Sequence, residues 1–576
     1  MDEAPRLALR DPKASASELR ERAGALKVAP AAVSLLMGRG VREEDEQARW
    51  LRPRLADLRR PDAMAGFDAT LDLLTTALRN RWRIGVFGDY DVDGVTTATI
   101  LSSYLEALGA EVVSRVANRD AGYGFGVEDA KALAEAGVEL VLTGDCGTSD
   151  HEALEWLRQR GIPTAVIDHH QVPEVMPPAT ALLNPHQDGC GFPFKGLCSA
   201  GVAFYLSASL RSVLAKSQAR SSLPDPRHWL DMVALGTVCD MVPLVDENRI
   251  LVRHGLSVLD QRKRPGIKAL LSMAKVDEDE KLDESHLGFR LGPRLNAPGR
   301  LGPADPSLSL LRARSLPEAR GMAMKVESCN AKRREIQARI VAEAEAALAA
   351  DPKAAGRRGL VVANGGWLHG IVGIAASTLV QSYHRPVLVL AVDHERGEAR
   401  GSVRTFGDVD VRAALSECAP LLRRYGGHKA AAGVSMDPAE IPRLIEAFDA
   451  AVAAQVGARE VDTGLGYDGA LTLDTIDPDF LTALESLGPY GMGFPAPRYL
   501  LEEAEVDHVR ILKGEHLKLA LRQRGVLIDA IAFGQGGAGV KIGDRVSCLY
   551  LPSRSYFRGR WRLQLQIESI WRTRPS

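Results

Sequence analysis

Several absences narrow the field before any motif is read. Aromatic residues make up only 5% of the 576 positions, and the seven cysteines are scattered singly. Even the closest cysteine pair, Cys190 and Cys198, offers neither a disulfide framework nor zinc-ligand spacing, which points to a reducing cytoplasm. Cys146 and Cys239 stand beside aspartates but read as small buried apolar residues. Neither sign of charge prevails: the formal net charge is −2, so any nucleic-acid contact must come from local basic patches. No apolar run is long enough to span a membrane. The first residues also lack the basic start and apolar stretch of a secretory leader, so no export is expected. What is present is ordinary globular composition, 45% apolar and 25% charged, in a chain long enough for three or four domains.

The patterning divides the chain into five parts. Residues 1–80 read as a helical, Ala/Arg/Leu-rich segment broken near Pro53 and Pro61. Across 81–315, short apolar runs (Ile84–Phe87, Glu111–Val116, Val138–Thr143, Thr164–Ile167) alternate with helical stretches (Val95–Leu108, Val127–Glu135, Ser149–Arg160). That alternation predicts an α/β domain with a parallel sheet covered on both faces, where ligands sit beyond the carboxyl ends of the strands. Residues 316–350 predict one long helix of roughly 50 Å, a spacer between domains. A smaller α/β domain is expected over 351–455, and short alternating strands over 456–576 predict an all-β barrel.

Carboxylates and histidines gather at the predicted strand ends. After Ile84–Phe87 comes Gly88-Asp89-Tyr90-Asp91-Val92-Asp93-Gly94, whose alternate aspartates project to one side of an extended backbone. Converging carboxylates repel unless a cation neutralises them. The next strand runs into Gly144-Asp145, and the following one into Asp168-His169-His170. Imidazole nitrogen is a common metal ligand, and a neighbouring acid fixes its tautomer. Asp240 ends the apolar segment Leu235–Cys239, where an unpartnered carboxylate would be costly. An oxygen-rich set with one or two imidazoles suits Mn²⁺ or Mg²⁺, and there are enough carboxylates for two ions sharing a bridge. Such a pair suits in-line attack of water on phosphorus, so phosphate or phosphodiester hydrolysis is the expected chemistry.

These motifs resemble those of the DHH phosphoesterase superfamily, and the similarity extends to its RecJ branch of single-strand-specific DNA exonucleases. The resemblance is carried by Gly88–Gly94, Asn118-Arg119, Gly122-Tyr123-Gly124, Asp145, Asp168–His170, Ala234–Pro243 and Gly292–Ala297. It continues in Gly401–Arg404, Gly426–Gly433 and Pro489–Gly493, covering about residues 80 to 576. It implies a DHH domain joined by the long helix to a DHHA1 domain, with an OB-type barrel after it. It further implies Asp91, Asp93, Asp145, His169 and Asp240 as ligands of two divalent cations, Asp145 bridging, and Asp89 as ligand or as a carboxylate behind the ligands. His170 matches the histidine that meets the scissile phosphate, and Arg119 and Arg294 match basic residues that grip DNA. Ser377 is a further expected phosphate contact, as are Ser402, Arg404, His428 and Lys429 in Gly-rich segments whose backbone can approach phosphates closely.

The resemblance implies 5′-to-3′ digestion of single-stranded DNA in repair and recombination, by a cytoplasmic monomer with no membrane contact. Single-strand-binding protein and a RecQ-type helicase are the partners it implies. This sequence departs from the pattern at Leu368, where histidine is usual, at Thr378, where arginine is usual, and at Phe494, where asparagine is common. The first two bear on the 5′-phosphate pocket, and the third is expected to affect only the linker. Segment 551–576 holds six arginines against the single acid Glu568, interleaved with Tyr556, Phe557, Trp561 and Trp571. That mixture suits strand tracking with base stacking, or else a barrel core with a basic edge. Two rivals remain within the superfamily: a phosphodiesterase for short oligonucleotides or cyclic dinucleotides, and a non-catalytic replication scaffold. The first usually stops after DHHA1, and the second would not need every candidate ligand.

Overall fold

The structure, a computed structural model, describes residues 7–119, 124–217, 223–457, 465–557 and 560–573. Gly122 and Tyr123 of the third motif therefore lie outside the described residues.

Five apolar strands make the catalytic sheet, in the order Val112–Val116, Ile84–Gly88, Leu140–Gly144, Thr164–Ile167 and Ala181–Leu183, all parallel. Four of them are buried throughout because helices such as Val92–Ala107 and Ser199–Ser217 cover the sheet. Register decides the rest. Gly88 pairs with Gly144, and Gly144 with Ile167, so Asp89, Asp145 and Asp168 leave the sheet side by side.

The Leu316–Ala350 helix spans 35 residues. Ala319, Ala323 and Val326 on its first half belong to the catalytic core. Ile340, Ala344 and Leu348 on its second half belong to the core of the next domain. That domain holds a mixed sheet ordered Leu422–Gly427, Ala431–Met436, Glu398–Arg404, Val387–Asp393 and Leu360–Asn364. The two Gly-rich segments are largely strands in this sheet, with residues 428–430 turning between Leu422–Gly427 and Ala431–Met436. Glycine serves close strand packing at Gly401, where a Cβ would come within 2.5 Å of the Val389 carbonyl oxygen.

Tyr499–Leu512, His516–Gln523, Val526–Ala532, Arg545–Phe557 and Arg560–Arg572 close into a five-stranded barrel. Its core includes Leu26, Leu35 and Leu36 from the Ala16–Leu26 and Pro30–Gly38 helices. The amino-terminal helices thus pack on the distant barrel, and Arg10 and Arg39 both bond the buried Asp468. Phe67–Asn80, by contrast, packs against the catalytic sheet. Trp571 is buried with Leu500 and Leu549, whereas Trp561 is 44% exposed. The Tyr556 and Phe557 side chains lie outside the described residues.

A single guanidinium ties these parts together. Arg249, 2% exposed on the Asp246–Leu259 helix, donates to the carbonyls of Trp50, Leu487, Gly488 and Pro489 at 2.7–3.3 Å. It lies 4.5 Å from the centroid of the Trp50 ring. Phe494 forms the other wall, stacked on Tyr490 with ring centroids 5.6 Å apart and within 4.6 Å of Arg39. The Phe494 departure therefore reaches beyond the linker, because its ring is 2% exposed in the barrel's core. Replacing Arg249 with leucine strands the carbonyls of Leu487, Gly488 and Pro489 in the interior and should cost about 2–4 kcal/mol. Lysine should not rescue it, lacking the planar fork. Thermal melting checks this, and an unchanged midpoint would contradict it.

Candidate metal centre and phosphate site

Each candidate ligand is set by the turn that carries it. Asp91 caps the Val92–Ala107 helix, its Oδ1 accepting from the Gly94 amide at 3.1 Å. A Cβ on Gly94 would fall 2.5 Å from the Asp89 backbone, so only glycine lets the helix start this close to the strand. Asp145 has a φ of 64°, a left-handed conformation that costs energy for aspartate and is concentrated at functional sites. Asp240 is the C-cap of the Leu230–Cys239 helix and points back toward the sheet edge.

These side chains converge. Asp89, Asp91 and Asp145 offer oxygens within 4.8 Å of one another, and the ligand atoms of Asp93, His169 and Asp240, and of Asp145, His169 and His170, lie equally close. Asp145 and His169 are each shared between groups, so the candidate ligand sets overlap at one edge. His169 Nε2 lies 3.3 Å from Asp145, 3.5 Å from Asp240 and 3.9 Å from Asp93, yet makes no hydrogen bond. Asp89 Oδ1 is likewise buried without a hydrogen-bond partner.

Electrostatics make the cluster unstable by itself. Burial, then the charges of Asp93 and Asp91, push the Asp145 carboxyl well above its usual range. Burial and the same two neighbours raise Asp240 to about 9. Asp89 and Asp93 are also raised, chiefly by burial. Burial lowers His169, leaving a neutral imidazole able to ligate. Orphaned buried atoms and carboxylates forced toward their neutral form are what a cation site looks like without its cations, so these residues fit a pair of Mn²⁺ or Mg²⁺ ions.

Asp168 stands behind the histidines. Its Oδ1 accepts from the His169 and His170 amides at 2.7 and 3.2 Å and from His170 Nδ1 at 2.8 Å. Burial opposes a charge on His170, but the bond to Asp168 prevails and raises it to about 9. The same ring, with burial overcome, holds the Asp168 carboxyl below its usual range.

The expected phosphate contacts separate into two sets. Arg119 lies 3.9 Å from the centroid of the Tyr90 ring and donates to the Gly299 carbonyl at 3.1 Å. Ser402 and Arg404 face the first turns of the His369–Tyr383 helix, where a Cβ on Gly373 would lie 3.2 and 3.0 Å from their polar atoms. Ser377 is one turn further along, donating to the Gly373 carbonyl at 3.2 Å. Arg294 instead pairs with Glu327 at 2.6 Å, so its charge is already neutralised. His428 and Lys429 sit exposed at the turn between Leu422–Gly427 and Ala431–Met436. Thr378, at the departing position, accepts from Gln337 at 3.1 Å, and Gln337 in turn accepts from Arg333.

Four contributors lie outside the sequence reading. The Ser199 and Ala200 amides, at the start of the Ser199–Ser217 helix, donate to Asp93 at 2.7 and 3.0 Å, and the Ser199 hydroxyl donates to Asp145 at 3.2 Å. Arg300 and Arg333 join Arg119 and Arg404 in a cationic cluster. Burial, then Arg119, Arg333 and Arg404, lower Arg300 to about 10. Among the described residues no carboxylate forms an ion pair with any of these four arginines. Arg300 follows closely on the quoted Gly292–Ala297 motif and could have been found there; the serine and Arg333 carried no local signal.

A parallel-sheet domain with this edge, a long helix and a second mixed-sheet domain define a DHH/DHHA1 phosphoesterase. The DHH family N-terminal domain model matches residues 83–237, the DHHA1 domain model 357–454 and the RecJ OB domain model 467–569. The chain is 34% identical over 565 residues to the single-stranded-DNA-specific exonuclease RecJ of Escherichia coli K12, covering 93% of this chain and 95% of that protein. It is 35% identical to the RecJ of Dickeya dadantii, covering 92% and 94%. The crystal structure of Thermus thermophilus RecJ with Mn²⁺ superposes with a TM-score of 0.81 at 30% identity, covering all of this chain and 81% of that one. Its Mg²⁺ complex gives 0.75 at 29% identity, with 99% and 79% covered. The chain belongs to the RecJ family.

Proposed function

We propose that this chain hydrolyses phosphodiester bonds of single-stranded DNA from the 5′ end, with two divalent cations held by Asp89, Asp91, Asp93, Asp145, His169 and Asp240. The observation that carries this is the sharing of Asp145 and His169 between overlapping ligand groups at one sheet edge. Bound among those residues, divalent ions would supply water activation and charge neutralisation at the phosphoryl oxygens.

The remaining work falls to the chain's own groups. His170, held as a cation by Asp168 with its side chain 42% exposed, presents positive charge to the scissile phosphate. Asp168 orients that ring through the 2.8 Å bond at Nδ1. Ser199 and Ala200 orient Asp93, so its carboxylate cannot swing away when the site fills. The cluster of Arg119, Arg300, Arg333 and Arg404, which has no carboxylate ion pair among the described residues, suits a terminal phosphate, and it supplies the grip that Thr378 does not. The Arg300–Gly370 contact, 3.2 Å between Nη1 and the carbonyl, ties that cluster to the second domain. A terminus anchored there supports exonucleolytic rather than internal cutting. Arg294 has a weaker claim because of Glu327, and His428 and Lys429 would serve strand entry from their exposed turn. Single-strand-binding protein and a RecQ-type helicase are the natural suppliers of the substrate. On this reading the enzyme works as a cytoplasmic monomer in repair and recombination.

Digestion of 5′-labelled single-stranded, duplex and dinucleotide substrates with Mn²⁺, Mg²⁺ or chelator tests this. Cation-dependent release of 5′ mononucleotides from the single strand alone is expected. Preference for duplex or dinucleotide would overturn it. Arg404→Ala should raise KM about tenfold with kcat little changed, and lower the salt dependence of binding by about one phosphate contact. An unaltered salt slope would remove Arg404 from the phosphate site.

A further inference from the structure

Two kinds of oxygen hold arginines along one stretch of the Leu316–Ala350 helix. Glu327 pairs with Arg294 at 2.6 Å and lies 3.6 Å from Arg334, so its charge is shared by two guanidiniums. Further along, Arg333 meets no carboxylate among the described residues. Its Nη2 donates instead to Asn330 Oδ1 at 2.7 Å, and its Nη1 to Gln337 Oε1 at 2.9 Å. Asn330 is buried, and the two amides flank Arg333 at helical spacing on one face. Both partners are neutral.

The direction of this chain of bonds is set from its far end. Thr378 Oγ1 donates its only proton to the Ile374 carbonyl, 3.2 Å away. It therefore meets Gln337 as an acceptor, taking a proton from Nε2 at 3.1 Å. That leaves the Gln337 oxygen facing Arg333. Thr378 lies on the His369–Tyr383 helix of the second domain, so the relay crosses from one domain to the other. The same helix carries Gly373, where a Cβ would lie 3.0 Å from the Arg404 guanidinium. Arg333 is thus held in register with Arg404, and both act on Arg300 between them.

We infer that Asn330, Gln337 and Thr378 are positioning residues that aim Arg333 at the terminal phosphate of the strand while leaving its charge free for that phosphate. This inference deepens the exonuclease reading and rests on it. Two requirements compete in any phosphate grip. A loose arginine gives up side-chain freedom when the ligand arrives, whereas one fixed by a carboxylate has already spent its charge. Neutral amides meet both requirements, since they hold two corners of the planar fork and leave the net charge whole. Two of the guanidinium N–H groups are used in this way, and the others are left for phosphate oxygens. Arg294, paired with Glu327 on the same helix, shows the opposite arrangement.

The test compares kcat/KM on one oligothymidylate bearing either a 5′ phosphate or a 5′ hydroxyl. Wild type should prefer the phosphate. Gln337→Glu, which turns the holding oxygen into a carboxylate, should melt no lower than wild type yet lose about tenfold of that preference, through KM. Gln337→Ala frees Arg333 without neutralising it and should lose less, about threefold. Thr378→Val, which removes the acceptor, should resemble Gln337→Ala, and Thr378→Ser should retain the preference. The salt dependence of binding to the phosphorylated strand should fall by about one contact in Gln337→Glu alone. An undiminished preference in Gln337→Glu, or equal losses in Gln337→Glu and Gln337→Ala, would overturn the inference. So would a wild type indifferent to the 5′ phosphate. Failure of wild type to cut single-stranded DNA at all would instead sink the exonuclease reading.

Discussion

Replacing Asp145 and His169 together with alanine should lower kcat/KM on single-stranded DNA by about 10³–10⁴-fold or more while leaving the fold intact. Charge stabilisation at a two-cation site is worth several kcal/mol, and each 1.36 kcal/mol is tenfold in rate. These two residues are the ones shared between candidate ligand groups, so their loss should disable both proposed cation positions. The fold should survive because Asp145 is a source of repulsion in the chain alone: burial and four neighbouring carboxylates disfavour its charge. Asp145→Asn, which keeps the shape and can still meet the Ser199 hydroxyl, should even raise the melting temperature of cation-free protein. Circular dichroism and nuclease assay on the same preparations check both halves. Activity within tenfold of wild type would contradict the assignment.

Adding Mn²⁺ should stabilise the chain strongly, and more so as pH rises. Asp89 and Asp145 are held well above the usual carboxylate range and Asp240 at about 9. A carboxylate raised on folding contributes its full stability below its unfolded value of about 4 and loses it as pH rises through the folded value. Cation-free protein should therefore weaken from about pH 4 toward pH 9, as these groups are forced to ionise in the folded state. A bound cation reverses that penalty, since it takes the ionised form. One site at a hundred times its dissociation constant contributes about 2.7 kcal/mol. For a domain of this size that is roughly 5–10 °C in melting temperature. The Mn²⁺-minus-chelator difference should grow between pH 6 and pH 8. A difference that is absent, or that shrinks over this range, would contradict the origin proposed for it.

The sequence exposes those parts of the site that follow strands directly. Asp89, Asp145 and Asp168-His169-His170 each follow an apolar run that reads as a strand, and parallel register then carries all three to one edge. Contacts set by distant packing are not legible in this way. Nothing near Ser199 marks it as the partner of Asp93, because that contact exists only when the Ser199–Ser217 helix docks on the sheet. Arg294 reads as a phosphate grip, but Glu327 on the long helix meets it first. The glycines of Gly401–Arg404 and Gly426–Gly433 suggest close backbone approach to phosphate, and the structure uses them for close strand packing and a tight hairpin. The amino-terminal segment shows its helical character but not its destination, a barrel more than 400 residues away along the chain. Leu368 and Thr378 show as departures in sequence, but the arginine cluster that surrounds the gap is visible only in three dimensions.

The proposed pairing of two cations across Asp145 is open to direct observation. Anomalous diffraction from crystals soaked in Mn²⁺ should show two peaks roughly 3.5–4 Å apart, as two-cation hydrolases require. Asp145 should lie between them, with Asp89 and Asp91 on one side and Asp93, His169 and Asp240 on the other. A single peak, or peaks away from Asp145, would contradict the account.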